Sequence, residues 1–243
     1  MGALAAGFWG FVGGASLLLG ALVGIYAGAS RHTIATVMAL GSGILISSVA
    51  FELMDEAYQT AGFDASALGL LLGSVAFFFA DRAVNRRGGA RRKNSGDKQG
   101  DSASAIAIGA LMDGIPESAA IGISLLEGGK ISAALVAAIF LSNVPEGLSS
   151  ASGMKRSGRS TAHILGLRGG VTAVSALAAL LGYFFLAGAS EDLVATIQAF
   201  AAGAILTMLA STMMPEAYEE GGAVVGLVTA VGFLLSFVLS HLE

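Results

Sequence analysis

Leu111-Met-Asp-Gly-Ile-Pro-Glu-Ser-Ala-Ala120 and Leu141-Ser-Asn-Val-Pro-Glu-Gly-Leu-Ser-Ser150 decide how this chain is read. Each places a glutamate directly after a proline inside a strongly apolar stretch. Pro215-Glu216 completes the set, so all three prolines of the chain are followed by glutamate. A proline inside a helix removes one backbone hydrogen bond and frees the carbonyl four residues earlier. Here those carbonyls belong to Met112, Leu141 and Ser211. In lipid such a group persists only where protein, water or a ligand satisfies it. An ionisable side chain at that depth is costly and marks a functional site. A carboxylate beside a loosened carbonyl is an all-oxygen cradle for a cation.

The rest of the chain explains why these pairs belong in a bilayer. It is 55% hydrophobic and only 12% charged, with a mean hydropathy of +0.77. A soluble domain of this size carries about 25% charged residues. The apolar residues come in runs of about 20, the length that crosses a hydrocarbon core. The expected fold is an all-α polytopic membrane protein, residues 1–243 forming a single transmembrane domain. Thirty-five glycines suit it, because small residues let helices approach closely in lipid. The absence of cysteine excludes disulfides and thiolate metal sites. The first apolar run starts almost at Met1 without a basic leader, which argues against a cleaved signal peptide.

Apolar runs between polar breaks give eight spans, at about 4–28, 33–56, 65–84, 103–126, 131–154, 162–187, 193–216 and 222–241. Arg31, the cluster from Arg82 to Lys98, and Lys155, Arg156 and Arg159 all fall on connections of one face. The opposite face has Lys130 alone, with Asp64, Glu127, Glu191 and Asp192. The positive-inside rule makes the basic face cytoplasmic and both termini external, in a cell (inner) membrane. The 85–102 segment, rich in Arg, Lys, Gly, Ser and Asp, reads as a flexible basic cytoplasmic loop. It is short and lacks aromatics, so anionic lipid is its expected partner and nucleic acid is not.

An internal echo adds to this. Phe51-Glu-Leu-Met-Asp-Glu-Ala-Tyr58 closes span two and Thr212-Met-Met-Pro-Glu-Ala-Tyr218 closes span seven, on opposite faces. Spans 1–3 and 6–8 then read as an inverted repeat around spans 4–5, a construction typical of secondary transporters.

Spans four and five share the frame polar-x-x-Pro-Glu-small. Asp113 and Glu117 are four apart and face the same way on a helix. Ser142 and Asn143 precede Glu146 by four and three residues, giving span five a matching polar face. Packed together, these helices would offer three carboxylates, an amide and a hydroxyl. Three carboxylates do not all stay ionised at close quarters without a cation, protons or a basic side chain. The ligand set is hard oxygen, suited to Mg, Ca or Mn, with Zn and Fe(II) accessible through carboxylates.

The double motif resembles the ZIP family of divalent-metal transporters over nearly the whole chain. The likeness extends to the Glu-Ala endings of spans two and seven and to Ala202-Gly-Ala204. The resemblance implies transport of a divalent cation such as zinc, iron or manganese as substrate, usually inward. It also implies a homodimer and an elevator-like movement of spans one, four, five and six against two, three, seven and eight. By resemblance Glu117, Asn143 and Glu146 are metal ligands, with Asp113 and Ser142 as substituted ligands. The family pattern has His-Asn where this chain has Asp113-Gly114, and Gly where it has Ser118. A glutamate of span six that helps hold a second metal aligns with Arg168, a substituted second-site position.

Other roles read more plainly. Glu52, Asp55 and Glu56 suit an external entrance, and Glu216, Glu219 and Glu220 a cytoplasmic exit vestibule. The methionines read as core, and His32, His163 and His241 as solvated residues at span ends. An enzyme is not expected: the His-Glu-x-x-His of a metalloprotease is absent, and only Asp113 is placed as an intramembrane aspartate. The alternative to a metal carrier is an offshoot of the same family, a metal sensor or a carrier of another solute, with Arg168 neutralising the acidic site.

Overall fold

Four serines set where helices begin. Ser30, Ser132, Ser160 and Ser190 sit in extended backbone, and each side chain accepts the N–H of the residue three further on. The N–H groups of a helix's first turn have no partner within the helix, and a serine oxygen satisfies one of them. The resulting computed structural model describes residues 2–27, 29–86, 103–126 and 132–241, with side chains from residue 108 in the third stretch. Of the basic 85–102 loop only Asn85 and Arg86 fall among these, and Glu127 and Lys130 lie outside them.

Among the described residues the regular secondary structure is all helical, with no strand. The helices are α1 (Gly2–Tyr26), α2 (Arg31–Ser48), α3 (Asp55–Val84), α4 (Ala103–Ser124), α5 (Ala133–Arg156), α6 (Thr161–Leu186), α7 (Glu191–Met208), α8 (Met214–Gly221) and α9 (Val224–Ser240). Two π-helical turns interrupt them, Val49–Met54 between α2 and α3 and Leu209–Met213 between α7 and α8. Five helical stretches are long and apolar enough to cross a membrane: Gly2–Tyr26, Arg31–Val84, Ala133–Arg156, Thr161–Leu186 and Glu191–Gly221. The second is kinked at Gly62, whose φ of 74° and ψ of −173° are open to glycine and strained for other residues. Gly222 ends α8 in the same way, with φ 66° and ψ −154°.

The helices pack in two sets. In one, α1 lies against α5 and α6, and α4 against α6. In the other, α2 lies against α9 and α3 against α7. Small residues make both. A methyl group at Gly20 would overlap the Val144 carbonyl, and one at Gly147 the Leu17 carbonyl, so α1 and α5 meet backbone to backbone. Where lipid removes the hydrophobic drive between helices, such close van der Waals packing is what holds them. The two sets meet across an apolar seam in which Leu45, Val49, Ala202 and Ile205 face Ile121, Leu135 and Ile139.

Landmarks of Ser30–Gly62 recur in Ser190–Gly222, shifted by 160 residues (190 − 30 = 222 − 62). They are the serine cap, the π turn, the Glu-Ala-Tyr triplet and the positive-φ glycine. The packing matches too. Gly43 of α2 abuts the Thr229 carbonyl of α9, and Gly203 of α7 abuts the Leu70 carbonyl of α3. In return Gly232 abuts the Leu40 carbonyl, and Gly73 the Phe200 carbonyl.

One local expectation is revised. Pro116 and Pro145 lie inside α4 and α5 as read from the sequence. Pro215 instead follows a π turn and occupies the first turn of α8, where its missing N–H costs little. The widened turn containing Ser211, as well as the proline, therefore breaks the regular helix there.

Candidate cation site

Prolines 116 and 145 set the backbone of the two helices that carry the acidic residues. Asp113, Glu117, Ser142, Asn143 and Glu146 are all between 1% and 4% exposed, so none is a solvated surface charge. Asn143 Nδ2 donates to the Gly13 carbonyl of α1 at 3.2 Å, leaving its amide oxygen as the group available to a ligand. Ser142 Oγ donates to the Ile139 carbonyl at 3.0 Å. Both polar residues thus spend a donor on backbone while remaining acceptors. The site borders the seam, because Gly41 of α2 packs directly on Ser142 and Pro145.

Arg168 enters this acidic region from α6 and is 1% exposed, among the largest fully buried side chains of the protein. It does not reach out to a headgroup layer. Its Nη1 lies 4.0 Å from Glu146 Oε1, and its Nη2 donates to Ser150 Oγ one turn further along α5. Nε and Nη1 make no hydrogen bond among the described residues, so the guanidinium is not gripped as a two-pronged fork. The backbone beneath is fixed more firmly. Thr172 Oγ1 sits 2.8 Å from the Gly14 carbonyl and 3.0 Å from the Arg168 carbonyl, tying α6 to α1.

The structure therefore brings Arg168 to Glu146 and Ser150. It does not bring three coordinating side chains to a point: among the described residues no group of three or more His, Cys, Asp or Glu is placed to hold a metal ion. A guanidinium occupies the neighbourhood that the sequence reading gave to a cation and its ligands. Such an arrangement is electrostatically coherent, since a buried charge is tolerated when a partner compensates it.

Away from this centre, two vestibules lie at opposite ends of the repeated segments. One is a cavity of about 630 Å³ lined by Glu56, Thr60, Leu126, Leu186 and Glu191. At its edge Gln198 of α7, fully buried, donates to Glu56 Oε2 at 3.0 Å and to the Glu52 carbonyl of the π turn at 3.3 Å. Glu52 Oε2 accepts from Ser132 Oγ, the cap of α5, at 2.7 Å. The other is a space of only about 20 Å³, lined by Arg31, Met38, Ser149, Arg156, Glu216 and Glu220. Arg31 and Glu220 of its lining form an ion pair at 3.3 Å. Asp55 bonds Gln59 on its own helix at 3.3 Å, and Glu219 is exposed. His32, His163 and His241 are exposed.

Sequence reasoning missed Ser150, Thr172 and Gln198. For Ser150 a clue existed, four residues after Glu146 and so on its helical face. Gln198 lies among alanines of span seven, and nothing local marks it. No protein-family model and no curated protein matches the chain.

Proposed function

We infer that this protein is a divalent metal carrier of the ZIP type, moving zinc, iron(II), manganese or a similar ion across a membrane. The observation that carries the reading is a set of three buried carboxylates, Asp113, Glu117 and Glu146, on two proline-containing helices beside the seam between two helix sets. A soluble or purely structural role gives no reason for such charges at that depth. The matching landmarks of Ser30–Gly62 and Ser190–Gly222, with their reciprocal glycine contacts, support an inverted repeat of spans 1–3 and 6–8. Eight crossings follow from the eight apolar runs. In this reading Arg31 and Arg156, which line one vestibule, mark the cytoplasmic end, and both termini are external in a cell membrane. Packing in two sets suits an elevator movement of α1, α4, α5 and α6 against the remainder, in a homodimer.

Arg168 stands where a second cation would sit. Formally, three carboxylates and one guanidinium sum to −2, a charge that one divalent ion balances. The carrier therefore holds a single ion among α4, α5 and α6. The same arginine supports the second reading, a family offshoot that senses metal or carries another solute.

Purified protein in liposomes separates the two. Uptake of Zn, Fe(II), Mn, Co, Cd or Mg above empty liposomes supports the carrier. Binding without flux supports the sensor, and neither binding nor flux leaves another solute.

A further inference from the structure

We propose that Arg168 is a displaceable resident cation that competes with the incoming metal for Glu146, with Ser150 holding the guanidinium when the metal occupies that carboxylate. The inference rests on the carrier reading and goes beyond it by naming what sets the affinity of the site.

Three observations bear on it. The arginine backbone is anchored, through Thr172 and the Gly14 carbonyl, whereas its head is held by one hydrogen bond and an ion pair at 4.0 Å. Two of its nitrogens have no hydrogen-bond partner among the described residues. And its two named partners, Glu146 and Ser150, are four apart on α5, so they stack along one face. The Ser150 hydrogen bond is already made, so releasing the carboxylate means giving up only the 4.0 Å contact with Glu146, without moving α6. A guanidinium stays charged throughout, so it acts as a permanent competitor. It lowers metal affinity while offsetting one of the three carboxylate charges in the cargo-free site. A carrier gains from this, because tightly held cargo is slow to leave.

The test uses Mn2+ binding to the purified full chain by equilibrium dialysis, alongside melting temperature to establish that each variant folds. Arg168→Gln should bind Mn2+ about ten-fold or more tightly, since one short-range repulsion is removed. Adding guanidinium chloride at millimolar concentration to Arg168→Ala should weaken its binding back toward wild type. Ser150→Ala, which removes the hydrogen bond that holds the guanidinium once Glu146 is taken by metal, should weaken Mn2+ binding several-fold, and it keeps the proposal testable if the arginine variants do not fold. Unchanged or weaker binding in Arg168→Gln would overturn the proposal, as would indifference of Ser150→Ala. Wild-type protein that binds none of Mn2+, Zn2+ or Fe2+ would instead bring down the carrier reading itself.

Discussion

At the residue scale the balance is between Glu146 and Arg168. Removing one partner of a buried ion pair strands the other and costs about 3–5 kcal/mol, whereas removing both costs far less. Glu146→Gln should therefore lower the melting temperature of the detergent-solubilised protein, and Glu146→Gln with Arg168→Gln should recover most of it. The double variant should still fail to bind metal, because the carboxylate is gone. A single variant as stable as wild type would show that the 4.0 Å contact carries no weight. The acidic residues were legible because proline and glutamate in apolar runs are conspicuous. The position of Arg168 inside span six was legible too, but its direction was not. An arginine one-third of the way into a span satisfies itself equally well by snorkelling or by turning inward. Only the packing of α5 against α1 and α6, which brings Glu146 and Ser150 within reach, decides between them.

At the scale of elements, the glycines decide which helices touch. Gly203→Val would drive a branched side chain into the Leu70 carbonyl, and Gly43→Val into that of Thr229. Overpacking of this kind costs typically about 1–3 kcal/mol. Both should lower the melting temperature, while Gly166→Ala, with nothing near its added carbon, should not. Equal effects at all three positions would contradict the packing. A third class of glycine is local: Gly62→Ala forces a side chain onto a φ of 74° and should destabilise by about 1–3 kcal/mol. Helix positions were legible from apolar runs between polar breaks. The π turns were not, since Val49–Met54 contains neither proline nor glycine. What makes room for it is tertiary: Gln198 of α7 reaches the Glu52 carbonyl that the widened turn presents.

For the whole molecule, the two vestibules are unequal although the segments lining them correspond. Arg31 and Glu220 pair at one end; 160 residues away in register, Glu191 and Thr60 occupy the equivalent places and offer no opposite charge. The narrow end is thus latched by an ion pair that the described lining of the wide end lacks. A part-exposed pair of this sort is worth at most about 1 kcal/mol, so the latch is soft and salt-sensitive. In the cysteine-free chain, a cysteine at Ser149 should react faster with a thiol reagent when Arg31→Ala is added, and faster at high salt. Unaltered reactivity would remove the latch. Orientation is checked with the same chemistry: an impermeant maleimide outside intact cells should label a cysteine at Gly188 and not one at Ser157. The reverse pattern would invert the topology.

The central claim, that the carboxylates of α4 and α5 hold and move one divalent ion, meets its most direct test in a single reconstitution. Wild type, Glu117→Gln and Glu146→Gln are placed in liposomes, and bound metal per chain and initial uptake are measured for Zn2+, Fe2+ and Mn2+. One ion per wild-type chain with saturable uptake is expected, and loss of both in each variant. Uptake in either variant at the wild-type rate, or two ions per wild-type chain, would contradict the account.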